Sequence, residues 1–193
     1  MKRHLLTAIA VICVLAIGGG SEAKTIGVAL ASDTNPFYIA MLKGIKIRAK
    51  AMGHDIVAVT ANSDPAKQLD GVNDLLARKV DGILISPVDA KALCSVFTKA
   101  KSVGIPMMSI ARGSACKDQL LHIAVDEIQV GNQIAEWTAK AIGYKGKVAM
   151  LAGPAGAQAF QNFAKGYEQV MAKYKDIKIA FRHELGLTRE NGL

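Results

Sequence analysis

Ile26-Gly27-Val28-Ala29-Leu30-Ala31-Ser32-Asp33-Thr34-Asn35-Pro36-Phe37-Tyr38-Ile39-Ala40-Met41 is the stretch from which the fold can be read. Ile26–Ala31 is short, uncharged and rich in β-formers, the pattern of a strand buried on both faces of a parallel sheet. Ser32–Asn35 is a polar turn. Pro36 stands where a first helical residue would, because its fixed φ suits that position and its missing N–H had no partner there. Asn35 or Thr34 is placed to cap the new helix. Strand, polar turn and helix N-terminus together carry Asn35, Phe37 and Tyr38 to the carboxyl end of the strand, the edge at which open α/β sheets bind ligands.

The same alternation repeats outward from this stretch. Ile39, Leu42, Ile45, Ala49 and Met52 recur at helical steps after Pro36, and Gly53 ends that helix. Ile56–Thr60 is a second strand. Asn62-Ser63-Asp64-Pro65 opens a second helix with Leu69, Val72, Leu75, Leu76 and Val80 on its apolar face. Ile83–Ile85 is a third strand, Ala90–Ser102 a third helix with Ala92, Val96, Ala100 and Val103 inward, and Ile105–Ile110 a fourth strand. After the polar excursion Ala111–Gln119 comes a short strand, His122–Val125. Asp126 starts a helix to about Ile142 with Val130, Ile134, Trp137 or Thr138, and Ala141 on one side. Val148–Leu151, a helix over Ala157–Tyr174 and Ile177–Phe181 follow, and Leu187-Thr188-Arg189-Glu190 reads as the cap of one more helix. Regular βα alternation at this spacing predicts a doubly wound parallel α/β sheet with right-handed crossovers.

With 193 residues, 51% hydrophobic and 21% charged, the composition is that of a globular chain. The formal charge of +8 is spread over single basic residues such as Lys43, Lys46, Lys67 and Arg78. Without a dense cluster it describes a solvated surface and does not point to nucleic acid. Residues 1–23 read as a secretory signal peptide: Lys2 and Arg3, the apolar run Leu5–Ile17, helix-breaking Gly18–Gly20, and small residues at Ser21 and Ala23 before cleavage ahead of Lys24. The apolar run is shorter than the ~20 residues of a membrane span. Export to the periplasm is the expected destination, where the cleaved chain keeps two cysteines, Cys94 and Cys116. A disulfide and a pair of buried free thiols both fit that arrangement.

Catalytic machinery is missing from the pattern. Gly153-Pro154-Ala155-Gly156 lacks the Lys-Ser/Thr pair of a phosphate loop, no G-x-G-x-x-G follows the first strand, and no G-x-S-x-G elbow is present. The four histidines are scattered. The expectation is a protein that binds and does not catalyse, and that carries no cofactor.

Asn35–Tyr38 (N-P-F-Y), the A-K-Q segment of the second helix, Asp81–Asp89 (D-G-I-L-I-S-P-V-D), Gly104–Pro106 (G-I-P), Ala111–Gly113 (A-R-G), His122–Asp126 (H-I-A-V-D) and Gly153–Ala157 (G-P-A-G-A) come in an order and spacing that resembles one family. It is that of the ribose-type periplasmic solute-binding proteins of ABC importers, the type I fold shared with LacI-type repressor cores. The resemblance covers essentially Lys24–Leu193. It implies an N-terminal lobe over 24–125 and the opening part of a second lobe over 126–193. The family's members run longer, so the chain is expected to be truncated at its C-terminal end. The implied partners are a small sugar-like solute and an ABC permease of the inner membrane, with a monomer expected for the complete protein. A sensor subunit that presents the solute to a membrane receptor or histidine kinase is the alternative.

Carried over position by position, the resemblance implies ligand contacts from Asn35, Phe37 and Tyr38 after the first strand, Ser86 after the third and Arg112 after the fourth. Phe160 and Phe163, with Gln158 and Gln161, are candidates for the opposite wall. Three positions depart from the family pattern. Ala111 stands where an Asp usually precedes the arginine, Phe163 where an arginine is usual, and Leu187 where an aromatic often closes over the sugar. The expected solute is a monosaccharide or related polyol, with sugar acids raised by the loss of the acceptor at Ala111.

Overall fold

The computed structural model describes residues 22–192, so the signal-peptide reading lies almost wholly outside them. The chain alternates β1 (Thr25–Leu30), α1 (Pro36–Ala51), β2 (Asp55–Thr60), α2 (Pro65–Ala77), β3 (Gly82–Ile85), α3 (Cys94–Ser102), β4 (Met107–Ile110), β5 (Leu121–Ile123), α4 (Glu127–Ala141), β6 (Gly146–Leu151), α5 (Gln158–Met171) and β7 (Ile177–His183), then a 3₁₀ turn at Glu190–Gly192. β1 to β5 form one parallel sheet in the order β2-β1-β3-β4-β5, and β6 pairs with β7 in a second parallel sheet.

The period of two along each strand divides the core of the larger sheet. Val28 and Leu30 of β1, Ile56 of β2 and Leu84 of β3 pack with Tyr38, Met41, Leu42 and Ile45 of α1. Ala29, Val57, Val59, Ile83 and Ile85 face the other way, onto Val72, Leu75 and Leu76 of α2 and Val96, Phe97 and Ala100 of α3. Helices cover both faces, as a doubly wound sheet requires. The caps act as the sequence indicates: Asn35, Asp64 and Asp126 each accept a backbone N–H from the first turn of the helix that follows.

Several boundaries and faces differ from expectation for tertiary reasons. α3 starts at Cys94 and not at Ala90. Asp89 Oδ1 takes the N–H groups of Lys91 and Ala92, while Ala90 donates to Gly156 O and accepts from Ala115 N. Those backbone groups are spent outside the helix. β4 starts at Met107, after Pro106, because Ile105 N–H closes the end of α3 on Ala100 O. β5 stops at Ile123, and β7 runs on to His183 beside a register shift in β6 between Val148 and Ala149. On α3 it is Leu93, Val96, Phe97 and Ala100 that are buried, with Val103 exposed. Ile39 and Met52 of the α1 stripe also lie exposed.

The largest departure is on α4. Its buried line is Glu127, Gly131, Ala135 and Ala139, and Trp137 is 72% exposed with Ile134 half exposed. Small residues at four-residue spacing let α4 and α5 approach backbone to backbone. A Cβ on Gly131 would overlap Phe163 O and one on Gly166 would overlap Ile128 O. Two helices in such contact leave no room for one methyl group. Gly131→Ala or Gly166→Ala should therefore force the helices apart and cost about 2–3 kcal/mol in urea denaturation. Gly44 of α1 meets nothing within 4 Å. Gly44→Ala should instead stabilise by about 0.5–1 kcal/mol.

Candidate functional site

The order β2-β1-β3 reverses winding direction between β1 and β3, which opens a crevice at their carboxyl ends. Gln68, from the middle of the first two turns of α2, is fully buried there and spans it. Its Nε2 donates to Ser86 O at 2.9 Å and Ala29 O at 3.4 Å, and its Oε1 accepts Val88 N–H at 2.7 Å. One side-chain amide thus fixes the chain leaving β3 against the end of β1. Gln68 belongs to the A-K-Q motif, but its bridging role needs the strand order and so is invisible in the sequence.

Above this anchor lies a cavity of about 510 Å³ between the carboxyl edge of the β1–β5 sheet and α5. Asn35, Phe37 and Tyr38 enter from the start of α1, Ala111 and Arg112 from the loop after β4, Ile123–Val125 from β5 and beyond. Phe160 and Phe163 of α5 and Leu187 close the far side. Six of the sequence-derived candidates, Asn35, Phe37, Tyr38, Arg112, Phe160 and Phe163, are brought together here.

Ser86 is not among the lining residues, which corrects its expected place. It is completely buried, and its Oγ donates to Tyr38 Oη at 3.4 Å, so it holds a wall residue from behind. Asn35 both caps α1 and lines the cavity. Its Oδ1 accepts Phe37 N–H at 3.0 Å, and its amide hydrogens are free to donate. The aromatic pair divides its labour: Tyr38 is 3% exposed and packs under α1, while Phe37 is 56% exposed, the rings meeting edge to face at 5.2 Å.

Arg112 is 6% exposed. Its guanidinium carbon lies 5.2 Å from the Phe160 ring centroid and 5.6 Å from that of Tyr38, two cation–π contacts from opposite parts of the chain. Burial pulls it below the ordinary arginine value, and the Tyr38 hydroxyl opposes that shift; with an intrinsic value so far above neutrality it stays charged. The backbone aims it sharply. Arg112 N–H bonds Ile110 O at 2.7 Å across Ala111, whose φ of 63° is left-handed, the mark of a strained three-residue turn. Four residues on, Cys116 is disulfide-bonded to Cys94 at the start of α3, and Ala115 N–H bonds Ala90 O at 2.8 Å. The loop that carries Arg112 is thereby tied to the sheet's helical layer. Gly113 packs beside Gln158, so Gln158 meets the Arg112 loop. Gln161 Nε2 is buried without a partner. Among the described residues no three His, Cys, Asp or Glu side chains cluster as metal ligands.

Residues 26–186 match the family described as the periplasmic binding protein domain. The chain belongs to that family. Among curated members it is 30% identical over 175 residues to the ribose import binding protein of Bacillus subtilis, covering 91% of this chain and 57% of that protein. It is 32% identical to the xylitol-binding protein of Mycolicibacterium smegmatis, over 90% of this chain and 49% of that one. The solved periplasmic binding protein component of the arabinose ABC transporter from Shewanella sp. ANA-3, bound to L-arabinofuranose, superposes with a TM-score of 0.82 at 27% identity, over 87% of this chain and 57% of that one. The chain spans about half to three-fifths of these relatives' lengths. The matched relatives are binding proteins, as the family name states.

The Gln68 bridge can be tested directly. Gln68→Leu keeps the volume but leaves Val88 N–H and Ser86 C=O buried without partners. It should cost about 2–3 kcal/mol in chemical denaturation, against less than about 1 kcal/mol for Arg78→Ala, whose ion pair with Asp74 is exposed.

Proposed function

We propose that the protein binds a small sugar-like solute in the cavity between the β1–β5 sheet edge and α5, in the periplasm, for delivery to an ABC permease. The observation that carries this reading is the cavity itself. Its volume of about 510 Å³ falls in the usual range for small-molecule sites, and it has the usual makeup, apolar and aromatic walls with a few convergent polar groups. Phe37, Phe160 and Phe163 offer ring faces to the apolar side of a sugar. Asn35 and Arg112 offer hydrogen-bond donors to its oxygens. The names of the relatives support the solute class: ribose, xylitol and arabinose are a pentose, a pentitol and a pentose. They also support delivery, since two of the three are import or ABC-transporter proteins by name.

One wall comes from the edge of the β1–β5 sheet and the other from α5, which suits a site that opens and closes by relative movement of two lobes. The lobes of this reading are residues 24–125 and 126–193. The signal segment over 1–23 supplies the export that a periplasmic binder needs.

Saturation-transfer NMR of the purified chain with ribose, arabinose and xylitol checks the reading. At least one should bind saturably with a Kd of about 1 mM or tighter, and Phe160→Ala should weaken it about tenfold, the worth of a stacked ring. No saturable binding to any of the three or to D-ribonate, or binding untouched by Phe160→Ala, would overturn it.

A further inference from the structure

The charge of the cavity bears on which solutes it takes. Among the described residues, Arg112 is the one charged side chain lining it, and no Asp or Glu does. Elsewhere in the described chain, Lys24, Arg78, Lys101 and Arg182 all have carboxylate partners although each is well exposed. Arg112, at 6% exposure, has no ion-pair partner among the described residues. This inverts the ordinary order, since a buried charge needs a partner more than an exposed one. The flanking rings of Tyr38 and Phe160 offset part of the cost, but a ring face accepts no in-plane hydrogen bonds and a guanidinium carries five donors.

The other side-chain polar groups of the cavity can donate as well. Asn35 has one lone pair of its carbonyl oxygen engaged by Phe37 N–H, and both its amide hydrogens are free to donate. Tyr38 Oη accepts from Ser86, which leaves its own proton to give. The first turn of α5 lines the same cavity, with no side-chain cap at Ala157 and no acidic residue in that turn. A helix N-terminus of that kind adds partial positive charge and free N–H groups. A neutral sugar hydroxyl must both give and accept, whereas a carboxylate only accepts. The cavity therefore offers several donors around one unpaired cation.

Resting on the solute-binding reading, we propose that the preferred solute is a sugar-derived monocarboxylate, an aldonic or uronic acid whose carboxylate pairs with the Arg112 guanidinium. The planar fork of Arg112 matches a carboxylate with two parallel hydrogen bonds. A phosphate ester brings nearly two charges at neutral pH, and the second would lie against apolar walls without a cation.

Titration calorimetry of the intact chain at pH 7 with D-galactose, D-galacturonate, D-galacturonamide and D-galactose 6-phosphate tests this. Galacturonate should bind at least tenfold more tightly than galactose. Galacturonamide, which keeps the shape and loses the charge, should fall back to the galactose level, and the phosphate should bind more weakly than galacturonate. Arg112→Met should remove the preference for the acid, and Arg112→Lys should retain part of it. D-ribonate against D-ribose repeats the comparison for a smaller solute. Galactose and ribose binding as tightly as their acids, or galacturonamide matching galacturonate, would overturn the charge assignment on the unaltered protein while leaving solute binding intact. Tighter binding of the phosphate would overturn the monocarboxylate assignment. Failure of every sugar and every acid to bind would overturn the solute-binding reading, and this one with it.

Discussion

Parallel strands must be joined by crossovers that climb over a face of the sheet, and right-handed crossovers leave the order of strands only a few solutions. Here the chain winds one way from β1 to β2 and the other way from β2 across to β3 and β4. The carboxyl ends of β1 and β3 therefore have no helix packed between them, and a crevice opens above the strand pair. Gln68 fills the base of that crevice with hydrogen bonds to three backbone groups. Ser86 and Tyr38 build upward from it, and the floor and near wall of the cavity follow.

The far wall has a different origin. Phe160 and Phe163 stand on α5, whose place is set by the glycine crossing with α4, not by the larger sheet. Few direct backbone bonds join the two parts; Ala90 N–H to Gly156 O at 2.9 Å is one. Asp89, the residue before it, occupies the space a Cβ on Gly156 would need. Arg112 lies where the parts meet, with one ring from each against its guanidinium. Its strained turn at Ala111 and the disulfide at Cys116 cost or restrict the chain locally, and both act to hold one side chain in one direction.

Helix starts were legible wherever a short polar side chain and a proline or an acidic residue acted within one turn, as at Asn35-Pro36, Asp64-Pro65 and Asp126-Glu127. The strands were legible because each is a short apolar run between turn residues. Reading failed at α3, where Ala90–Leu93 has the composition of a helix but Ala90 gives its backbone groups to residues 25 and 66 positions away. It failed again on α4, where the larger residues Val130, Ile134 and Trp137 suggested the packed face. Close approach favours the smallest residues, so the packed face was the one that hydrophobicity alone ranks lowest.

The amino-acid sequence by itself determined the βα alternation, the parallel class and the gathering of Asn35, Phe37 and Tyr38 at a strand's carboxyl end, because caps, turns and periodicity act over a few residues. Only the tertiary structure decided that Ser86 stands behind the cavity and that Gln68 bridges two strands. It alone brought Phe160 against Arg112 from 48 residues away. Whether a side chain faces a ligand, a neighbour or water depends on distances between segments that share no local sequence, and those distances exist only once the sheets have formed and packed.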